Sequence, residues 1–132
     1  MTVTAYFSRT YDETMTLMVE ARNYMAFVGP VERRSNDNAG GLRLSCEAMR
    51  VTSRLTQVMA WLMMQRAVAE GEISSDAAMD EENRLSGAEV CLDDSFTEDE
   101  NLPRGLRSLL DRSRRLYIRV SHLEQQMLDR LH

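Results

Sequence analysis

The sequence predicts an all-α fold: a three-helix bundle of long antiparallel helices, with an acidic connector carrying a short helix. Three observations predict it. The chain holds only two prolines in 132 residues and is rich in Ala, Leu, Met and Arg, which suits long helices. Apolar residues recur at alternating spacings of three and four in three separate stretches, the period of a helix with one buried face. No stretch alternates with a period of two, so no sheet is expected.

The first helix is expected over about residues 10–28. Thr10 and Glu13 have the spacing of a capping box. Tyr11, Thr14, Met18, Ala21, Met25 and Val28 form the inward seam, and Asp12, Glu20 and Asn23 fall on the solvated back. Gly29-Pro30 then reads as a stop, because proline lacks an N–H and disfavours helix in the residue before it. The run from Gly29 to Gly41 reads as a polar connector. Its Gly40-Gly41 pair lacks the full glycine pattern of a phosphate loop and follows no strand.

The central helix, about residues 42–70, organises the chain. Leu44, Ala48, Val51, Leu55, Val58 and Leu62 lie on one face. A second stripe on its back begins polar and ends apolar: Arg50, Arg54, Gln57, Trp61, Met64, Val68. From Val58 to Met64 the helix is apolar nearly all round and needs neighbours on both flanks. Gly71 is placed to close it in a left-handed cap.

The connector that follows carries twelve Asp or Glu between Glu70 and Glu100, against the single Arg84. A short acidic helix is expected over about residues 75–85, capped by Ser74 or Ser75, and residues 86–101 read as polar and mobile. The last helix, about 103–131, starts at Pro103, a favoured first helical position. Leu106, Leu109, Leu110, Leu116, Tyr117, Val120, Leu123, Met127, Leu128 and Leu131 make its apolar face, with Arg104, Arg107, Arg114, Arg115 and Arg119 opposite. Together the segments form one helical-bundle domain over 1–132.

Composition narrows function. All sixteen basic residues are Arg, so chemistry that requires a lysine amine is excluded. A formal charge of −5 disfavours nucleic acid as the main ligand. Cys46 and Cys91 stand far apart and make neither a zinc spacing nor a disulfide framework. The start, MTVTAYFSRT, lacks the apolar run of a signal peptide, and VMAWLMM is too short to span a bilayer. A cytoplasmic setting, with no membrane contact, is expected. No cofactor, metal site or catalytic group is expected: there is no Glu-x-x-His, the acidic connector lacks calcium-loop spacing, and His122 lies on the polar side of its helix.

Binding is the more promising chemistry. Trp, Met and Arg are enriched at protein interfaces. Candidate partner-binding residues are therefore Arg50, Arg54, Gln57, Trp61, Met64 and Val68 on the central helix, and Arg107, Arg114 and Arg115 on the last. Three arrangements are open for the Trp61 patch: cover from within the chain, a two-fold homodimer contact, or a surface for another protein. For the Arg stripe of the last helix the choices are the acidic connector, an acidic partner, or water. Ten methionines serve either as core filler or as an adaptable binding surface.

The run Glu47-Ala48-Met49-Arg50-Val51-Thr52-Ser53-Arg54-Leu55, with Ala60-Trp61-Leu62 and Gln65-Arg66-Ala67-Val68-Ala69-Glu70-Gly71-Glu72, closely resembles the signature of the regulator of CtrA degradation family. Leu102-Pro103, Leu106, Leu109, Ser113, Leu116-Tyr117, Arg119-Val120 and Leu123 resemble its C-terminal pattern. A looser likeness runs through Tyr11, Met15, Leu17, Val19-Glu20 and Tyr24-Met25. The resemblance implies a small dimeric three-helix bundle without catalysis. It implies an adaptor that helps deliver CtrA-like cell-cycle cargo to the ClpXP protease, together with a CpdR-like response regulator. Such adaptors can carry a polar tail after the last helix; with the sequence ending at His132, no contact made by such a tail is expected here. The alternative is a structural or regulatory homodimer with no protease link.

Overall fold

The computed structural model describes residues 3–131, and the side chains of residues 7–130. Every regular element is helical: α1 (Val3–Asn23), a π turn (Tyr24–Val28), α2 (Gly29–Arg34), α3 (Asn38–Ala69), α4 (Ser75–Ala78), a 3-10 turn (Glu81–Asn83), α5 (Ala88–Cys91), a second 3-10 turn (Ser95–Glu98) and α6 (Arg104–Leu131). The fold class is all-α, with no strand among the described residues.

Both boundaries of the first helix differ from expectation, each for a local reason. α1 begins at Val3 and not at Thr10. Thr10 sits buried inside the helix, and its carbonyl accepts a 2.7 Å bond from the Thr14 hydroxyl. With no glycine or proline ahead of it, nothing forces the helix to start there. The helix also runs on through Gly29-Pro30. The Gly29 N–H bonds the carbonyl of Tyr24, five residues back, so the backbone widens into a π turn. Pro30 then falls in the first turn of α2, directly after the widened turn.

α3 starts before Leu42 because Asp37 caps it: the Asp37 carboxylate accepts a 2.6 Å bond from the Gly40 N–H. Gly40 and Gly41 thus lie in its first turn and not in a loop. At the far end Gly71 takes φ +75°, with Glu72 N–H bonding the Ala67 carbonyl and Gly71 N–H the Val68 carbonyl. That crossed pair is a Schellman cap, which satisfies two carbonyls the helix would leave open.

Contacts fix the sense of each long pair. α1 and α3 run oppositely: Phe7 packs edge-on against Trp61, and the Met25 sulfur accepts a weak bond from Thr52. α1 and α6 also run oppositely, with Glu13 paired to Arg119, Glu20 to Arg112, and the Tyr24 ring lying over Gly105. α3 and α6 run the same way, since Arg54 bonds Leu110 while Val68 and Met127, later in each helix, line one small cavity. The antiparallel arrangement expected from the sequence does not describe this last pair. Two neighbouring helices of like sense need a long return segment, and the acidic connector supplies it.

Leu44, Ala48, Val51, Leu55, Val58 and Leu62 are buried as their spacing predicts, against Leu106, Leu109, Leu110, Leu116, Tyr117 and Val120 of α6. The buried seam of α1 is Thr10, Thr14, Leu17 and Ala21, continued by Tyr24 of the π turn. It is rotated from the expected seam, so Tyr11, Met18 and Met25 sit at the margin of the core and Val28 is exposed.

Candidate functional site

The back stripe of α3 meets the chain's own acidic connector. Arg54 is the centre of that contact and is 0% exposed. Its Nε donates to the carbonyl of Cys91 at 2.7 Å, Nη2 to that of Asp93 at 2.7 Å, and Nη1 to that of Leu110 at 2.9 Å and to the Ser113 hydroxyl at 3.3 Å. Its guanidinium carbon stands 5.9 Å from the centroid of the Phe96 ring. Its described hydrogen-bond partners are three carbonyls and a hydroxyl, with no carboxylate among them. Burial, reinforced by the like charge of Arg50, lowers its pKa to about 10, so it remains charged at neutral pH.

Two more arginines extend the contact. Arg50 donates to the carbonyl of Val90 at 3.1 Å and pairs with Glu47 at 2.8 Å. Arg114 donates to the carbonyl of Leu92 at 3.0 Å. Three side chains therefore hold four successive carbonyls, those of residues 90 to 93. These belong to the end of α5 and the residues just past it, where helix carbonyls lack intrahelical donors and the helix dipole is negative. Further along, Gln57 accepts from the Ser86 N–H and hydroxyl, Tyr117 donates to the Ser86 carbonyl at 2.8 Å, and Glu124 accepts from the Leu85 N–H. Burial pushes the Tyr117 hydroxyl up to about 12 and also raises the Cys91 thiol. Arg107 bonds the Asp99 carbonyl, and Arg43 pairs with the Asp99 carboxylate at 2.7 Å.

Residues 86–101 are therefore a strap laid along the α3–α6 seam, not a mobile linker. The expected short helix over 75–85 is broken into α4, capped by Ser74, and a 3-10 turn. The strap is held mainly through its backbone. Only Asp93 and Asp99 of its carboxylates reach an arginine among the described ion pairs. Composition pointed to acid–base pairing here, whereas the dominant contact is guanidinium to main-chain carbonyl, which leaves no sequence signature in the acceptor.

The sequence-selected residues thus divide. Arg50, Arg54 and Gln57 face the strap, and Trp61, 2% exposed, packs under Phe7 with ring centroids 5.5 Å apart. Cover from within the chain is the arrangement observed for all four. Met64 and Val68 are half-buried. On α6, Arg107 and Arg114 bind the strap backbone, Arg112 and Arg119 pair with α1, and Arg115 points outward against Asp111.

The surface left open is a third stripe on α3 that the sequence reading passed over. Leu42, Cys46, Met49, Ser53, Thr56, Ala60 and Met63 alternate by four and three, and none is charged. Met49 is 68% and Met63 60% exposed. Across the seam stand the half-buried Met18 of α1 and Met25 of the π turn. Of the methionines with described side chains, only Met79 is buried, so they are surface and margin residues more than core filler. Two clefts open along the α1–α3 seam, one of about 370 Å³ between Phe7, Tyr11, Leu62 and Met63, the other of about 470 Å³ between Met18, Met25, Thr52 and Leu55. Alternating small and polar residues hid this stripe, because Ser53, Thr56 and Ala60 do not register as apolar.

Among the described residues no three His, Cys, Asp or Glu side chains are grouped to hold a metal ion, and no helix is long and apolar enough to cross a membrane.

The model of a family described as Protein of unknown function (DUF1465) matches residues 1–132. The crystal structure of RcdA from Caulobacter crescentus CB15 is similar at 38% sequence identity and a TM-score of 0.74, covering 92% of this chain and 91% of that one. No curated protein matches the chain.

Proposed function

The chain belongs to the regulator of CtrA degradation family, and to the DUF1465 family whose model spans it, and on that premise we propose that it is a non-catalytic adaptor of regulated proteolysis. It helps deliver cell-cycle regulatory proteins, CtrA-like cargo among them, to the ClpXP protease in the cytoplasm, alongside a CpdR-like response regulator. The observation that carries this reading is the 38% identity to RcdA over nearly the whole chain. Physically an adaptor needs only two surfaces used at once, since tethering raises effective concentration without any new contact to the reacting groups.

The open surfaces suggest where those contacts fall. We assign the α1–α3 face, with Met49 and Met63, to protein contact, because flexible thioethers repack against varied apolar partners. The acidic outer side of the strap and the outward Arg115 are the charged alternatives. Homodimerisation would use the same uncharged α3 stripe in place of the Trp61 stripe, which the strap and Phe7 occupy, so a self-contact and a partner contact there exclude each other. That stripe also favours the second reading, a homodimer with no protease link.

Reconstituted degradation tests the proposal. Purified ClpXP, the response regulator and a CtrA-like cargo are combined with and without this chain, and cargo loss is followed over time. Faster loss in its presence is expected. Unchanged loss, together with concentration-dependent self-association, would leave the second reading in place.

A further inference from the structure

Helix α1, the π turn and α2 form one unbroken helical element from Val3 to Arg34. The π turn redirects its buried seam. Regular spacing would carry the seam from Tyr24 to Val28, but the extra residue in the widened turn passes it to Gly29, which is buried, and leaves Val28 44% exposed. Phe27 is 74% exposed, more than any other large apolar side chain among the described residues. It belongs to a row at intervals of four, Met15, Val19, Asn23, Phe27 and Val31, which lie one above another along the helix. All five are exposed and none is charged. None of them lines either α1–α3 cleft, so the row is separate from the α3 stripe.

The row is symmetric about Asn23, with two apolar residues before it and two after. Charge runs the other way, from acidic to basic. Between Asp12 and Asn23 the element carries Asp12, Glu13 and Glu20 against Arg22; between Asn23 and Arg34 it carries Arg33 and Arg34 against Glu32. Asp12 and Arg34 are exposed, and neither joins an ion pair among the described residues.

We propose that this row pairs with the same row of a second copy of the chain, the two helices antiparallel about a two-fold axis at Asn23. A two-fold contact uses one patch on both subunits, which gives the row a reason to be symmetric. The axis sets Val19 against Phe27 of the partner subunit, Met15 against the partner subunit's Val31, and Asp12 against the partner subunit's Arg34. Each acidic half then meets a basic half, which parallel pairing does not achieve. The Asn23 carbonyl oxygen accepts from Arg22 at 3.4 Å, and its amide N–H groups have no described partner. Two such amides meeting at the axis supply donor and acceptor to each other, and one polar pair in an apolar contact fixes register. The contact goes beyond the adaptor reading. A copy held here leaves the α3 stripe open to a partner.

Crosslinking reads the register. The background is the full chain with Met49→Glu and Met63→Glu, which remove association through the α3 stripe, and Cys46→Ser, which removes the exposed native thiol. With diamide as oxidant, Asn23→Cys is expected to form a disulfide-linked dimer roughly tenfold faster than Asp12→Cys, which the axis places far from its own copy. Phe27→Glu is expected to weaken self-association by roughly thirtyfold, the scale of an anchor residue in an interface, with Tm unchanged because the site is exposed. At low salt Asp12→Arg and Arg34→Asp should each associate less than the background protein. Their equimolar mixture should recover, because every contact in the mixed pair again joins opposite charges. The proposal is overturned if Asn23→Cys crosslinks no faster than Asp12→Cys, if Phe27→Glu associates as the background does, or if the mixture is no better than its components. None of these readouts involves protease or cargo, so the adaptor reading stands or falls separately.

Discussion

Arg54 Nε donates a 2.7 Å hydrogen bond to the main-chain carbonyl of Cys91, thirty-seven residues later in the chain. That bond joins the middle of the central helix to the end of a four-residue helix that would have no stability of its own. The strap exists as structure because α3 reaches out and satisfies its open carbonyls.

Replacing Arg54 should therefore release the strap. Arg54→Met keeps the apolar stem but leaves the carbonyls of Cys91 and Asp93 buried without donors. Hydrogen bonds to a charged group contribute about 1.5–3 kcal/mol each and are not additive, so a total loss of about 3 kcal/mol is expected. Urea unfolding measures the loss. Limited proteolysis should cut between residues 86 and 99 in the variant and spare the parent.

Tyr117 makes stability depend on alkaline pH. Its hydroxyl is held at about 12 in the folded chain, against about 10 when unfolded. The stabilisation is complete below pH 10 and is lost as pH rises towards 12. Arg54 acts oppositely in the same window, since its folded value of about 10 lies below its unfolded one and the unfolded chain binds more protons. Arg54 is common to both proteins, so the difference between Tyr117→Phe and the parent isolates the tyrosine. The variant should start about 1 kcal/mol less stable at pH 7, for the lost bond to Ser86, and close that gap between pH 10 and 12. A gap that stays constant over that range would refute the assignment.

The ion pairs joining α1 to α6 should matter little. Arg112 hydrogen-bonds Glu20 at 2.5 Å and holds its carboxyl below the usual range. This stabilisation is present above the unfolded pKa and is lost as pH falls through the folded one. Both side chains are 43% exposed, so solvent and salt screen the pair, and Glu20→Gln should lose no more than about 1 kcal/mol. Raising the salt concentration should shrink the difference between variant and parent.

Substitutions on the open stripe should separate stability from association. Met49→Glu and Met63→Glu place charges on exposed positions, where the expected change in stability stays within about 0.5 kcal/mol. Self-association, followed by sedimentation, should fall in the double variant. Retained association would move the self-contact to another face.

Much of the fold was legible because burial follows period. Leu44 through Leu62 and Leu106 through Val120 declare their helices, and Gly71 declares where the central one ends. The start of α1 and its passage through Pro30 were less legible, because Thr10 and Gly29-Pro30 carry the residue types of a boundary without its geometry. The π turn depends on one N–H choosing an acceptor five residues back, which local composition does not encode. The candidate site was legible only by half. Arg50, Arg54 and Gln57 stood out as a stripe, but their acceptors are backbone atoms and carry no residue identity. The open stripe of α3 escaped notice because Ser53, Thr56 and Ala60 look ordinary among charged neighbours.

The shared direction of α3 and α6 bears on how freely the strap's length can vary. Returning from Ala69 to the level where α6 begins covers about twenty helical residues, or about 30 Å at 1.5 Å each. An extended chain crosses that in about ten residues. Residues 70–103 are roughly three times as many, so the link has slack that topology alone does not require. Trimming the tip around Glu81 and Glu82 should still allow the chain to close, whereas shortening the stretch from Val90 to Asp93 removes the atoms the three arginines grip. The surplus is thus tolerant of change at its turn and fixed in register at its grip, and natural variation in length should gather at the turn.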